Sequence, residues 1–314
     1  MELRHLRCFL AVAEELHFAR AAERLHIEQS PLSRAIKELE QELGVMLFAR
    51  TTRNTRLTRA GKLFLEHVPR VFTALQQARG SVSAAANGFR GQLRIALSDG
   101  ITPSRLSSLL AMCRQDEPEV DIRLFEVPLL QQIKGLHDDL YDIGFAQSDE
   151  VGDGIVVTPA WSDALMVAVP ARHPLLTHKR IPLKDVLRYP LVLCDPRACE
   201  GFARQVERVL RKVDMEPMVA ERVASCDLMM TLVSAGFALG LADAEHISAS
   251  REVGVVARPL AGRSPPITTY LLYPGNEPSE TLSRFISRVR AIDDSGNGKL
   301  AQLTPIDSME VIEP

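Results

Sequence analysis

No stretch of this chain approaches the roughly 18 consecutive apolar residues that a bilayer span requires. Its first helical segment carries Arg4, His5 and Arg7 instead of the continuous apolar run of a secretory leader, so we expect a soluble protein of the cytoplasm with no membrane partner. Cysteine is scarce. Cys8, Cys113, Cys194, Cys199 and Cys226 are odd in number and form no C-x-x-C pair, which argues against a disulfide framework and against a zinc site. Catalytic signatures are missing as well: there is no G-x-S-x-G elbow, no H-E-x-x-H, no G-x-G-x-x-G after a strand and no phosphate-binding loop. His137 beside Asp138 and Asp139 is the nearest polar constellation, and a solvated helix end explains it. An enzyme is therefore not expected, nor a metal or a cofactor.

What is present is unevenly distributed. The 314 residues suffice for two or three domains with sizeable cores, and the net charge is only −3. Residues 1–90, however, hold 14 Lys and Arg against 9 Asp and Glu (+5), leaving 23 against 31 (−8) for residues 91–314. A basic head attracts phosphates whatever their sequence, and an acidic body avoids them. Charge runs are usually solvated faces, so this asymmetry supports a nucleic-acid reading without carrying it.

In the basic head, Leu3, Leu6, Leu10, Ala13 and Leu16 recur at threes and fours and predict a first helix. Phe18, Ala22 and Leu25 predict a second, with Ala19 and Ala21 small enough for another helix to cross closely. His26-Ile27-Glu28 is the turn. A third helix follows with Pro31 in its first turn, where a missing N–H costs little, and Gly44 as a left-handed cap. Its Leu32, Ile36, Leu39 and Leu43 face inward. Gln29, Ser30, Ser33, Arg34 and Lys37 are left outward beside Pro31, donors and acceptors able to meet base edges and phosphates of double-stranded DNA. With a wing bearing Arg50, Arg53, Arg56 and Arg59, residues 1–58 read as a winged helix-turn-helix whose contacts include Arg50 and Arg53. A helical protein-interaction module is the other reading.

From Thr58, a capping residue, Leu65, Val68, Phe72, Leu75, Arg79, Val82 and Ala86 predict a long helix over 59–90. Such a seam suits pairing with a second copy or packing on its own chain, and the spacing does not separate the two. Pro69 should kink it or break it near His67 and Val68. Beyond it, short β-rich runs alternate with amphipathic helices. Strands are predicted at 93–97, 120–127, 143–146, 165–169, 191–193, 219–223, 239–242 and 268–273, and helices at 103–114, 130–140, 202–213, 227–235 and 279–292. This is an α/β region over 91–292, in two subdomains: 91–162 with 267–292, and 163–266. Crossings near Ser162-Asp163 and Pro265-Pro266 would enclose a cleft. Residues 293–314, short of packing side chains, read as a flexible tail or as a strip docking through Leu303, Ile306 and Val311.

Ligands of open α/β sheets bind at the carboxyl ends of strands, often against helix N-termini. That rule selects Ser98, Asp99, Gly100, Ile101 and Thr102 after the first of these strands, and Cys226 where a helix opens after another. Each also reads as ordinary turn or core. An ionised Asp99 would repel an anion unless a helix dipole or Arg197 offsets it. Cys194 and Cys199 lie close together after a strand, and a helix start lowers the pKa of a thiol such as Cys226, so a redox sensor using these three is an alternative. Buried structural thiols are the plainer one.

The run FLAVAEELHFARAAERLHIEQSPLSRAIKELEQELGVMLFAR, followed by TRNTRLTRAG, resembles the N-terminal pattern of the LysR-type transcriptional regulators over roughly sixty positions, a match far more specific than a bare helix-turn-helix. MELRHLR and the overall layout are similar to the branch controlling aromatic and chloroaromatic catabolism. The resemblance implies that helix 59–90 is a linker and dimerisation helix. It also implies that 91–292 is an effector domain resembling periplasmic binding proteins, with Leu129, Gln147 and Phe202 among the effector contacts. That branch commonly shows hydroxyl and arginine side chains in the pocket, where this chain has Leu129 and Gln147, so a muconate-like dicarboxylate does not carry over. A small organic co-inducer with one carboxylate or aromatic ring does. Implied too are a homodimer or homotetramer, an interrupted palindromic operator, transcriptional activation and RNA polymerase as a further partner.

Overall fold

In the computed structural model, described over residues 1–51, 54–86, 88–101, 103–250, 254–262 and 266–300, the chain divides into two units, Met1–Gly80 and Ser81–Pro314. In the first unit, Leu3–Glu15 forms α1, Phe18–Arg24 α2 and Gln29–Leu43 α3. The buried face of α1 is Leu6, Phe9, Val12 and Ala13; Leu3 and Leu16, expected in the stripe, are 38% and 44% exposed. Leu3 occupies the first residue of the helix and Leu16 its left-handed cap (φ 48°), so both swing off the core face. His17 caps α2, its Nδ1 accepting the Arg20 N–H at 3.3 Å. Gly44 closes α3 at φ 70°.

The wing is the antiparallel pair β1 (Phe48–Thr51) and β2 (Asn54–Leu57). Glu40 fastens it to α3: its buried Oε1 accepts the N–H groups of Leu47 (2.8 Å) and Phe48 (3.1 Å). Phe48 lies 5.4 Å from Phe9 and 6.0 Å from Phe18 between ring centroids, in a core where each fully buried side chain is worth about 1.5–3 kcal/mol. Next comes α4, Arg59–Ala86. Thr58 caps it as expected, Oγ1 accepting the Gly61 N–H at 3.0 Å. Of the kink or break expected at Pro69, no break occurs: the helix continues through it, the packing of Val68 and Phe72 on the first core offsetting the hydrogen bond the proline forgoes.

The second unit continues with β3 (Gly91–Leu97), α5 (Pro103–Asp116), β4 (Val120–Glu126), α6 (Leu129–His137), β5 (Ile143–Ala146) and β6 (Ile155–Pro170). After a short 3-10 turn come α7 (Leu183–Val186), β7 (Leu191–Cys194), α8 (Glu200–Leu210), β8 (Val219–Val223), α9 (Cys226–Ser234), β9 (Leu239–Asp243) and α10 (Ala244–Ala249). The unit ends in β10 (Val255–Pro259), β11 (Pro266–Pro274) and α11 (Glu280–Leu300). One sheet runs β4-β3-β5-β11-β6-β9-β7-β8, with β10 added on β6. Pairing is parallel in β4-β3-β5 and in β9-β7-β8, and antiparallel where β6 and β11 cross from one half to the other. The two crossings are thus continuous strands; the sequence pattern showed only the second half of β6, because its first residues are merely half-buried. Each half has its own core, one around Phe145, Trp161 and Phe285, the other around Val167, Met229 and Leu241.

Two expected boundaries shift. The helix predicted at 130–140 stops at His137, since Asp139 takes a positive φ of 55°. At the other end α11 runs eight residues past 292, to Leu300, where a tail was expected, a helix once formed extending by one hydrogen bond per residue. Leu303, Ile306 and Val311 lie outside the described residues.

Candidate functional site

On the first unit, Gln29, Ser30, Pro31, Arg34 and Lys37 are exposed along α3 and Ser33 is half-buried, the arrangement the sequence predicted. Leu32, Ile36 and Leu39 are fully buried behind them, which fixes the rotation of the helix and leaves that face to solvent. Neither Arg34 nor Lys37 is ion-paired among the described residues. Both line a groove of about 780 Å³ that continues past Gly44 to Met46. Arg34 also borders a second groove of about 500 Å³ with Arg4 and Arg7 of α1, cations that the sequence reading did not assign to this face. Arg7 stacks over Phe72, 5.9 Å from its ring centroid, which orients its guanidinium. In the wing Arg56 is exposed, whereas Arg53 and the side chain of Arg50 lie outside the described residues. Such a face offers bidentate donors to guanine and amide or hydroxyl groups to the other bases.

On the second unit, the carboxyl ends of strands from both halves converge on a cavity of about 530 Å³. Ser98, Asp99, Gly100 and Ile101 enter from the end of β3 and Cys226 from the start of α9, as expected. Thr102 lies outside the described residues. Three expected contacts are not in the lining. Leu129 turns into the core beneath β5 and β11, and Phe202 into the core around β7, both almost fully buried. Gln147 is buried with its side-chain Oε1 unpartnered, and contributes its backbone instead. Sequence reasoning gave no ligand role to Glu126, Cys199 and His246, which with Asp227, beside Cys226 at the same helix start, complete the charged and polar lining.

Asp99 is 5% exposed and held at φ 62°, a conformation that costs an L residue energy unless its surroundings fix it. They do. Its Oδ1 accepts the Gly201 N–H in the first turn of α8 at 2.8 Å, and its Oδ2 accepts the Gln147 N–H at 3.1 Å and the Ser98 hydroxyl at 3.2 Å. Burial pushes the carboxyl above its ordinary range, and those three donors pull it back. Arg197 plays no part, being paired with Asp195 at 2.7 Å. Asp99 therefore ties the two halves together from inside the cleft. Arg105–Asp163 (2.7 Å, both largely buried) and Ser104–Glu245 (2.8 Å) are two further ties between α5 and the other half.

His246 stands opposite on α10. Asp243 accepts its backbone N–H at 2.8 Å and lies 2.6 Å from its Nδ1. Burial opposes protonation of the ring, yet the hydrogen bond and charge of Asp243 outweigh it and hold His246 up at about 9. The thiols of Cys199 and Cys226 line the cavity, and that of Cys194 lies behind them, in hydrogen-bond contact with both. Hydrogen bonds to Cys199 and Cys226, with burial, push Cys194 up, and the same hydrogen bonds lower its two neighbours. All five cysteines are free. Among the described residues there is no His, Cys, Asp or Glu grouping that would hold a metal ion, and no helix long and apolar enough to cross a membrane.

Residues 3–62 match the model of the bacterial regulatory helix-turn-helix protein, lysR family, and residues 86–292 match that of the LysR substrate binding domain. Among curated relatives, the uncharacterized HTH-type transcriptional regulator YnfL of Escherichia coli is 34% identical over 242 residues, 77% of this chain and 82% of that protein. The probable cat1 operon transcriptional activator of Acinetobacter lwoffii is 32% identical over 238 residues, 76% and 78% respectively. The crystal structure of full-length CbnR complexed with its target DNA superposes with a TM-score of 0.70 at 29% identity, covering 93% of this chain and 99% of that one. These likenesses do not favour the redox alternative, and the near-complete burial of Cys194 and Cys199 speaks against it.

Proposed function

Because the chain belongs to the LysR family of DNA-binding transcriptional regulators, we propose that α3 reads its operator and that a small organic effector in the second unit's cavity sets how that operator is bound. Gln29, Ser30, Pro31, Ser33, Arg34 and Lys37 meet base edges and adjacent phosphates, and Arg50 and Arg53 hold the backbone beside the wing. Residues 59–90 pair two copies, so that two recognition helices meet the halves of an interrupted palindrome, and a dimer of such dimers is the working assembly. Residues 91–292 form the effector domain. Ser98, Asp99, Gly100, Ile101 and Cys226 face the ligand, and Thr102 is a further contact.

The mechanism is allosteric and leaves the ligand chemically unchanged. Closure of the cleft acts on the ties that span it, Asp99 to Gly201, Arg105 to Asp163 and Ser104 to Glu245, and so shifts subunit packing and the bend imposed on DNA. Activation is the output, in keeping with the cat1 regulator's name. The observation that carries this reading is the convergence of strand carboxyl ends from both halves on one cavity lined by polar groups.

Titration of the DNA flanking this protein's own gene against a random duplex, over a salt series and with candidate aromatic and carboxylic compounds, tests it. Specific binding should exceed random binding by about a thousandfold or more, and one compound class should change the specific affinity or the shape of its isotherm. Equal affinity for both duplexes contradicts the assignment of α3.

A further inference from the structure

We propose that His246 is the anion receptor of the cavity and that the ligand is a small molecule presenting a single carboxylate. This deepens the effector reading above and rests on it. Asp243, itself buried, fixes the imidazole through two contacts, the backbone N–H at 2.8 Å and Nδ1 at 2.6 Å, so Nδ1 is committed to that carboxylate. Nε2 is left for the cavity, without a hydrogen-bond partner among the described residues. A ring held in this way acts as a preorganised donor, and ordering it on binding costs little.

The charge pattern around it then limits the ligand. His246 is the only Lys, Arg or His among the described lining residues. The acidic groups that face it are Asp99, Glu126 and Asp227 in the lining, with Asp243 and Glu245 beside it on its own element. Both oxygens of Asp99 are already occupied by N–H and hydroxyl donors, and Asp243 is occupied by the ring. Glu126 and Asp227 are exposed and uncommitted, so they repel a second negative charge. Cys199 and Cys226, their thiols lowered by hydrogen bonds from Cys194, offer no positive charge to a ligand and add to the negative side of the lining wherever they ionise. One anionic group therefore finds one cationic partner, and the rest of the ligand meets Leu97, Ile101, Leu106 and Val127. Near neutral pH the ring is charged, Asp243 holding it protonated against burial.

The test uses the full-length protein labelled with ¹⁵N in histidine. Its ring signals are followed while acetate, benzoate and hexanoate are added to about 10 mM, far above any useful dissociation constant. Benzamide and terephthalate serve as the neutral and dianionic matches to benzoate. At least one monocarboxylate should shift the His246 Nε2 signal saturably; its neutral or dianionic match should bind at least tenfold more weakly, and His246→Gln should weaken it at least tenfold. Should His246→Gln fail to fold, Asp243→Asn, which keeps the helix cap, should show the same loss. The proposal is overturned if no monocarboxylate moves the His246 signal, if the folded variant binds as wild type does, or if terephthalate equals benzoate. Binding at His246 that leaves operator binding unchanged would keep the receptor and remove the regulatory reading. Operator binding altered by compounds that never perturb His246 would do the reverse.

Discussion

Replacing Asp243 by Asn separates charge from geometry at the cavity. Asn caps a helix as well as Asp does, so the contact to the His246 N–H, 2.8 Å in the native protein, is retained. What is lost is the negative charge 2.6 Å from Nδ1. Without it burial acts on the ring against only the charges of Cys226 and Asp227, so the ring's pKa falls from its native value and protonation at pH 7 is lost in large part. The native ring is raised from 6.5 to about 9, which corresponds to at most about 3 kcal/mol in favour of the charged form. A group raised in the folded state stabilises fully below its unfolded value and loses that contribution as pH climbs through its folded value. Native stability from this pair is thus intact below pH 6.5 and disappears between 6.5 and about 9. Urea denaturation of wild type and Asp243→Asn, at half-unit steps from pH 6 to pH 10, should show a gap of up to about 3 kcal/mol at pH 6 that narrows towards pH 10. Parallel profiles would refute the claim that Asp243 keeps His246 charged.

Arg34→Ala should lose about 1–3 kcal/mol of discrimination between operator and random DNA, while Arg53→Ala should weaken both alike and reduce the salt slope by about 1, as competition titrations across salt would read. Gly61→Ala should destabilise the first unit by about 1–3 kcal/mol or more in thermal denaturation, since a Cβ there would meet the Leu47 carbonyl oxygen at 2.1 Å. Asp99→Ala removes the acceptor of the Gly201 and Gln147 amides, at about 1–3 kcal/mol for each buried donor left unpaired. Hydrogen exchange should show those two amides losing protection ahead of the rest of the sheet.

The helix-turn-helix was legible because its signals are local. Pro31, Gly44 and the run Leu32, Ile36, Leu39 fix the start, the end and the rotation of α3 without reference to the rest of the fold. The phase of α1 departs from its periodicity for the opposite reason: Leu3 and Leu16 fit the period but stand at the two ends of the helix, and only the packed core decides which leucines it reaches. Likewise, the carboxyl-end rule found Ser98 to Ile101 and Cys226, which depend only on locating a strand end. Leu129 and Phe202, implied by resemblance, turn into cores because the rotation of α6 and α8 is set by tertiary packing, and Gln147, just past β5, is buried with its backbone rather than its side chain bonded to Asp99. His246 left a trace in the sequence, Asp243 followed three residues later by a histidine at a strand end, but that pattern reads as an ordinary helix cap. Its second role needed the cavity to be seen. Asp99 shows the same limit: the sequence anticipated a repulsive carboxylate, and its neutralising partners, Gly201 and Gln147, lie 102 and 48 residues away.

The measurement that bears most directly on ligand-controlled operator binding is a footprint of the purified protein on the DNA flanking its own gene, with and without aromatic and carboxylic metabolites, each repeated with His246→Gln. A protected region with dyad symmetry should shorten, or lose a hypersensitive site, with a monocarboxylate for wild type and stay unchanged for the variant. Protection that no compound alters in either protein would contradict control of DNA binding through the cavity.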